Sequence, residues 1–183
     1  MGNNTEDILL VSEIVVFGNK NAFERLVDKY QVAVRNFFLL HTGYDEMVSD
    51  DLSQETFIRC WERLGTFKGL SSFRTWMYSV AFNILSDYYR SRKRQIRLNE
   101  YISEKNENSG VEDRGVDNKH DVISALKSLS DMEKSCIILY YMHDLSVSKI
   151  SSIVNLPSGT VKSHLSRARL KMQKYLKNDG YEE

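Results

Sequence analysis

Residues 145–177 read LSVSKISSIVNLPSGTVKSHLSRARLKMQKYLK and contain two helical patterns separated by a short turn. The first follows Ser146, a typical N-cap residue, and has apolar residues at helical spacing, namely Val147, Ile150, Ile153 and Val154. Pro157, the single proline of the chain, stands where the second pattern begins, a position that tolerates its missing amide N–H. The stretch predicts a helix-turn-helix, whose second helix enters the major groove of DNA.

The second helix of this stretch has an apolar side and a small, basic side that is free of acids. The apolar side consists of Val161, Leu165, Ala168 and Met172, and the opposite side of Gly159, Lys162, Ser163, Ser166 and Arg167. Lysine and arginine contact phosphates or guanine, and serine reaches either. A basic helix that is merely solvated is the alternative, because cations also suit a helix C-terminus. That alternative leaves the turn and its proline unexplained.

Composition allows a DNA-binding role although the net charge is zero. The chain has 183 residues, enough for one medium domain or two small ones, with 25 basic and 25 acidic side chains. These charges are unevenly placed, since residues 90–97 are basic without an acid, whereas acids gather around residues 45–62 and 100–121. The local field, and not the net charge, decides where a polyanion docks.

The cysteines and the apolar runs exclude several classes. Cys60 and Cys136 lie far apart in apolar helical patterns, without the spacing of a metal site, and we expect buried thiols. Residues 136–142 form an apolar run that is far too short to span a bilayer, and the first residues lack a signal-peptide pattern. We therefore expect a cytoplasmic protein with no cofactor, no metal and no membrane insertion.

The hydrophobic periodicity predicts an all-α protein with two small helical domains joined by a flexible polar linker. Helices are expected at residues 49–64 and 72–94, and capping boxes at Asn21 with Glu24 and at Ser130 with Glu133. The polar, aperiodic composition of the intervening segment marks the linker. The predicted parts are an N-terminal extension (1–19), a first domain (20–95), the linker (96–119), a helix-turn-helix domain (120–177) and a tail (178–183).

One face of the predicted helix 49–64 is acidic but carries an isoleucine. Asp51, Gln54, Glu55 and Ile58 lie opposite its apolar side. Charges alone would indicate a solvated face, whereas an isoleucine ringed by acids suggests a docking site for a basic partner. A metal site at Asp50, Asp51 and Glu55 is disfavoured, because no histidine or further acid completes the ligand set.

The predicted helix 72–94 has a polar stripe beside its core face, formed by Asn83, Asp87, Arg90 and Arg94. Ion pairs within the helix are one explanation. Another is nucleic-acid binding, since Tyr78, Phe82 and Tyr89 also point away from the apolar stripe and could stack on single-stranded bases. The glycine-containing loop before this helix could enclose a base pulled from the duplex.

Taken together, these segments resemble a known family. Residues 51–57, DLSQETF, match the Asp-Leu-x-Gln-Glu-x-Phe signature of bacterial sigma factors, and residues 73–77, FRTWM, look like the segment that follows it. Residues 157–163, PSGTVKS, followed by SRAR at 166–169, are similar to the recognition helix of their C-terminal domain. The short two-domain layout is similar to the extracytoplasmic-function (ECF) sigma factors of the sigma-70 family.

The resemblance implies a dissociable subunit of RNA polymerase that has no catalytic residues of its own. Its partners would be the clamp helices and flap of core RNA polymerase, promoter DNA and an anti-sigma factor. The implied polymerase-binding residues are Asp51, Gln54, Glu55, Phe57 and Ile58. The implied −10 DNA-binding residues are Phe67, Lys68, Ser72, Asn83, Asp87, Arg90 and Arg94. The implied −35 DNA-binding residues are Ser158, Thr160, Lys162, Ser163, Ser166 and Arg167.

Two other classes compete with this interpretation. A helix-turn-helix regulator of the response-regulator output type would bind operator DNA without polymerase, but it does not account for the signature at residues 51–57. A metal-dependent nuclease would need a cluster of carboxylates or histidines, which the sequence lacks.

Overall fold

A computed structural model describes the backbone of residues 2–103 and 118–178, and the side chains of residues 5–98 and 122–176. Within these ranges the chain is helical, without a strand, as predicted. The helices are α1 (Gly2–Phe17), α2 (Lys20–Thr42), α3 (Glu46–Arg63), α4 (Phe73–Ser103), α5 (Asn118–Lys127), α6 (Asp131–Ile137), α7 (Val147–Val154) and α8 (Ser158–Asn178). No helix of this part of the chain is both long and apolar enough to cross a membrane.

The first domain is formed by α1–α4 around an aromatic core. Its largest fully buried side chains include Phe37 and Phe38 of α2 and Phe73 and Met77 of α4. Burial of aromatic side chains of this size supplies much of the stabilisation of a small helical domain. Cys60 of α3 is buried in the same core, and burial raises the pKa of its thiol to about 12, so it is an inert packing residue as expected.

Polar caps set the starts of α2 and α3, and one of them differs from the prediction. Asn19 is the N-cap of α2 and accepts a hydrogen bond from the amide of Ala22. The capping box predicted at Asn21 is therefore wrong, because the helix begins two residues earlier, directly after Gly18 in the left-handed region. Asp45 caps α3 by accepting from the amide of Val48, so this helix also begins earlier than the hydrophobic pattern indicated.

Helix α4 is longer than predicted. It continues to Ser103, beyond the basic residues 90–97 and into the segment that composition assigned to the linker. Residues 91–98 of this extension are exposed, so their helical conformation is not set by a core. The rest of the predicted linker, residues 104–117, lies outside the described residues, as does the end of the predicted tail, residues 179–183.

The second domain is formed by α5–α8. The capping box at Ser130 and Glu133 is confirmed, with both reciprocal hydrogen bonds present. The apolar run after it is helical, as expected, and is buried up to Leu139 before it ends in a π-helical turn at Ile138–Met142. Ser146 caps α7 as predicted, and α8 begins at Ser158. Pro157 immediately precedes α8, and its carbonyl accepts from the amides of Thr160 and Val161.

The two domains pack against each other through α4. Arg74 Nη2 donates to the carbonyl of His143 (2.7 Å), and Tyr78 Oη lies 2.7 Å from Nδ1 of the same histidine. On α2, His41 Nδ1 donates to the carbonyl of Phe37, and its Nε2 lies 3.0 Å from Ser135 Oγ of α6. The contact between the domains is thus built around two imidazole rings, one from each domain.

Both of these histidines are buried in a cationic environment. Burial lowers the pKa of His41 to about 3. The hydrogen bond to the Phe37 carbonyl acts in the opposite direction, whereas the nearby Lys134 and His143 lower this pKa further. Burial and Arg74 lower the pKa of His143 to about 4, and the Nε2 atom of this ring has no hydrogen-bond partner among the described residues. The acids of α6 are paired with other residues, Asp131 with Lys93 of α4 and Glu133 with Arg167 and Lys171 of α8. Both rings are therefore neutral while the domains are in contact.

We predict that acid separates the two domains. A solvated histidine has a pKa near 6.5, so the open form binds protons that the closed form cannot, and closure is lost as the pH falls below this value. If both rings become solvated, lowering the pH from 7.5 to 5.5 shifts the equilibrium about a hundredfold toward the open form. The measurement is energy transfer between dyes at Met47→Cys and Leu170→Cys, two exposed positions in different domains.

The matched control is His164→Gln, which changes a histidine away from the interface and should keep the response. The double variant His41→Gln with His143→Gln should lose it. Energy transfer that stays constant over this pH range, with helical circular dichroism unchanged, contradicts the prediction.

Candidate functional site

The acidic face of α3 is exposed as a continuous surface. Asp51, Gln54 and Glu55 face solvent, and the side chain of Ile58 beside them is 57% exposed. Phe57 is different, because it is half-buried and packs against the core cluster. Four of the five residues predicted to bind polymerase therefore share one surface, whereas Phe57 supports that surface from below.

The carboxylate of Asp50, at the edge of this face, is engaged by an arginine of α2. Asp50 accepts from Arg35 Nε at 2.6 Å, which occupies one of its oxygens. Among the described residues, no group of three or more histidines, cysteines, aspartates or glutamates could hold a metal ion.

The polar stripe of α4 begins directly beside this acidic face. Asn83, Asp87, Arg90 and Arg94 are exposed along one side of the helix. Arg59 of α3 binds Glu55 (Nη2–Oε1, 2.6 Å) and approaches Asp87 (Nη1–Oδ2, 3.7 Å), and Arg90 also pairs with Asp87. A chain of ion pairs thus connects the acidic face of α3 with the polar stripe of α4. These pairs are partly exposed, so each is weak and easily exchanged for another partner.

The loop before α4 contributes residues of three different kinds. Phe67 is half-buried, with its ring centroid 5.4 Å from that of Trp76 and 6.1 Å from that of Phe73. Lys68 is exposed. Ser72 Oγ accepts from the amide of Thr75 (3.2 Å), so this serine caps the start of α4. The structure therefore gives Phe67 and Ser72 local structural roles that sequence reasoning did not anticipate.

The aromatic residues of α4 do not form the predicted stacking platform for bases. Tyr78 is fully buried against His143 of the second domain, and Phe82 is half-buried against the core cluster. Tyr89 Oη donates to the carbonyl of His41 at 3.2 Å. The prediction was wrong because helical periodicity shows which residues lie outside the main apolar face of a helix. It does not show whether another element of the protein covers those residues.

The side of α8 that is predicted to read DNA is exposed to solvent. Lys162, Ser163, Ser166 and Arg167 are exposed, and Ser158 at the helix start is exposed as well. Thr160 is half-buried. On the opposite side Val161, Leu165 and Ala168 are buried in the core, as the sequence pattern predicted. The helix-turn-helix therefore presents one small, basic surface to solvent.

A buried glutamate orients part of this surface, and sequence reasoning assigned it only a capping role. Glu133 is 4% exposed and pairs with Arg167 (Nε–Oε1, 3.5 Å) and Lys171 (Nζ–Oε2, 2.7 Å) of α8. Burial alone would raise its pKa, but hydrogen bonds from Lys171 and Ser130 outweigh this effect and lower the pKa to about 2. Glu133 is thus a permanent anion behind two cations of α8, and Arg167 also donates to His164 Nδ1 at 3.1 Å.

An apolar groove lies on the second domain, away from the reading side of α8. It has a volume of about 490 Å³ between α5, the π-helical turn and α8, and its lining includes Leu126, Ile138, Tyr141, Met142 and Met172. Tyr141 and Met142 are each 54% exposed. A groove of this size and apolar character suits an apolar helix face from a partner.

Comparison with protein families assigns both domains. Residues 26–95 match the family described as Sigma-70 region 2, and residues 119–172 match the family described as Sigma-70, region 4. The first match contains the acidic face of α3 and the polar stripe of α4. The second contains the helix-turn-helix.

Characterised relatives match nearly the whole chain. The ECF RNA polymerase sigma-E factor of Haemophilus influenzae is 30% identical over 92% of this chain and 94% of its own length. RNA polymerase sigma factor YlaC of Bacillus subtilis is 27% identical over 90% of this chain and 98% of its own. ECF RNA polymerase sigma factor SigW of the same species is 28% identical over 88% of this chain and 92% of its own.

Two solved structures are similar to both domains at once. CnrH, in complex with the cytosolic domain of CnrY, has a TM-score of 0.72 and 25% identity, covering 96% of this chain and 99% of its own. The sigma factor RpoE of Bartonella quintana, in complex with the anti-sigma factor NepR, has a TM-score of 0.70 and 25% identity. That match covers 85% of this chain and 96% of RpoE.

Proposed function

Because the chain belongs to the ECF sigma factors of the sigma-70 family, we propose that each of its exposed surfaces contacts a different part of the polymerase or of promoter DNA during initiation. The protein binds core RNA polymerase and directs it to promoters. The observation that carries the assignment of surfaces is that the acidic face of α3, the polar stripe of α4 and the basic side of α8 are all exposed, while their opposite sides are buried.

The acidic face of α3 is the surface that we assign to the polymerase clamp helices. Asp51, Gln54 and Glu55 supply acceptors for a basic partner, and Ile58 supplies an apolar contact at their centre. Charged groups at such a surface mainly steer association, whereas a desolvated apolar residue slows dissociation. Phe57 contributes by fixing the helix on the core.

The polar stripe of α4 is the surface that we assign to the −10 element. Asn83 has donors and acceptors for the edge of a base taken out of the duplex, and Phe67, Lys68 and Ser72 border the same end of the helix. Arg90 and Arg94 supply positive charge for the DNA backbone. Asp87 is held by Arg59 and Arg90, so its role is to orient those cations toward DNA.

The exposed side of α8 is the surface that we assign to the −35 element. Lys162 and Arg167 reach phosphates or guanine, and Ser158, Thr160, Ser163 and Ser166 allow close approach to the backbone and the base edges. Because the two DNA-binding surfaces are in one chain, the binding of one raises the effective concentration of the other.

The remaining partners follow from the apolar groove and from the structural relatives. We assign the groove to an apolar helix, supplied by the polymerase flap when the protein is bound to polymerase. An anti-sigma factor is the partner expected to hold the free protein inactive, since the similar sigma factor RpoE was crystallised in complex with the anti-sigma factor NepR. We place the protein in the cytoplasm, where polymerase and promoter DNA are found.

The chemistry of transcription belongs to the polymerase in this proposal, and the chain itself is not an enzyme. The two rival classes make different demands. An operator-binding regulator has no use for the acidic face of α3. A metal-dependent nuclease needs a metal-binding cluster, which the described residues do not form.

We predict that Asp51→Ala combined with Glu55→Ala weakens binding to core polymerase about tenfold, because the variant removes two charges that face a basic partner. The measurement is a pull-down titration with core polymerase. The control is Glu24→Ala with Asp28→Ala, which removes two exposed acids from α2 instead. Equal affinity of the two double variants would remove the acidic face from the binding surface.

Replacing Asn83 by alanine should impair promoter opening about tenfold, since the hydrogen bonds to an extruded base are lost. Reactivity of −10 thymines toward permanganate reports the open strand, and polymerase affinity should stay unchanged. Gln95→Ala changes another exposed polar residue of the same helix and should be neutral. Normal opening by the Asn83 variant would exclude this residue from the pocket.

Arg167→Ala should relax sequence preference at the −35 element, because one base-reading cation disappears. Transcription from a randomised promoter library measures the preference, and the same experiment with the unaltered protein identifies its promoters. Lys174→Ala removes an exposed cation about two turns further along α8 and serves as the control. An unchanged promoter profile for Arg167→Ala would contradict its assignment, and a library without any selected promoter would contradict the proposed function as a whole.

A further inference from the structure

Helix α1 has two apolar faces, and only one of them is covered. Leu10, Val11 and Ile14 are buried against the rest of the first domain. On the other side Ile8, Leu9, Val15 and Val16 are all between 45% and 68% exposed, and Phe17 at the end of the helix is 79% exposed. An apolar stripe of this width, about 120° of the helix circumference, is typical of a face that packs against another element.

The exposed stripe is symmetric about Ser12. Ile8 and Val16 each lie four residues from this serine, and Leu9 and Val15 each lie three residues from it. Two copies of the helix, crossing in antiparallel fashion at Ser12, therefore place Ile8 against Val16 and Leu9 against Val15. A contact between identical surfaces around a two-fold axis requires this kind of self-complementarity.

The centre and the edges of the stripe suit close contact. Ser12 is small, and its hydroxyl donates to the carbonyl of Ile8 (2.8 Å), so burial leaves no unsatisfied donor. The two acids of α1 outside its buried face, the exposed Glu6 and the half-buried Glu13, are turned to other residues. Glu6 pairs with Arg25 and Lys29 of α2, and Glu13 accepts from the side chain of Asn19. The stripe itself contains no charge.

The exposed area is sufficient for a specific, reversible contact. The stripe together with Phe17 exposes on the order of 600 Å² per copy, so a symmetric pair buries about 1,200 Å², the lower limit for specific interfaces. A membrane surface is the less favoured occupant, because α1 has three acids and no basic residue, whereas interfacial helices are rich in lysine and arginine. We propose that this chain forms a homodimer through antiparallel packing of two α1 helices at Ser12.

Sedimentation velocity of the full-length protein between about 1 and 100 µM tests the dimer. The expected result is a concentration-dependent shift from the 21.3 kDa monomer to twice that mass. Leu9→Asp and Val16→Asp should each weaken self-association by more than about tenfold, because a charge is then buried in the interface. Val32→Asp alters an exposed valine on α2 and should dimerise like the unaltered chain. A 21.3 kDa species at every concentration overturns the proposal, as does equal dimerisation of all three variants.

Disulfide trapping tests the orientation of the helices. Ser12→Cys should crosslink two copies readily, since both sulfur atoms lie at the two-fold axis, and the native Cys60 and Cys136 are buried. Ile8→Cys should not, because its two copies are separated by about 12 Å along the antiparallel helices. Equal crosslinking at both positions overturns the antiparallel packing. A monomer that instead co-sediments with phosphatidylcholine vesicles overturns the dimer in favour of a lipid surface.

Discussion

Helix α4 has three faces, one packed in the core of the first domain, one packed against the second domain and one exposed to solvent. The rest of the structure depends on this division. One face buries Phe73, Met77 and Ile84 in the core of the first domain. A second, about a third of a turn away, carries Arg74 and Tyr78 to the second domain. What remains is the stripe from Asn83 to Arg94. With 3.6 residues per turn, each of the three faces has about one residue per turn. The exposed stripe is therefore narrow and consists of few residues.

This division explains which parts of the protein the sequence could predict. A face covered by neighbours in the same domain shows a clear apolar period, as in α8, and the exposure of the opposite side of α8 was predicted correctly. Tyr78 was misassigned because an aromatic residue outside the main stripe has the same sequence pattern whether it stacks on a base or packs against another domain. Asn19 and Asn21 are equally good caps by residue type, and the choice depends on the left-handed backbone of Gly18. Glu133 could be recognised as a cap, but its pairs with Arg167 and Lys171 are formed across 34 and 38 residues.

A net charge of zero is compatible with binding both a polymerase and DNA because the ion pairs keep opposite charges in separate, adjacent surfaces. Glu55, Arg59, Asp87 and Arg90 form a chain from the acidic face of α3 to the stripe of α4. A cation arriving at Glu55 competes with Arg59, and a phosphate arriving at the stripe competes with Asp87 for Arg90. Binding of a charged partner at one surface therefore releases a charged group that favours binding at the other surface. The effect is small, since exposed ion pairs of this kind contribute less than about 1 kcal/mol each.

Contact between the two domains leaves the chemistry of these surfaces unchanged and restrains their separation. The acidic face, Asn83 and the basic side of α8 all stay exposed while α7 packs against α4. Yet α7 belongs to the helix-turn-helix itself, so a domain held against α4 cannot move along DNA away from the stripe. The two buried imidazoles of the contact are neutral at neutral pH, so closure is favoured there without a buried charge to pair. The separation of the two surfaces that we propose to bind DNA is thus controlled at the interface of α4, and the residues proposed to read the sequence lie outside that interface.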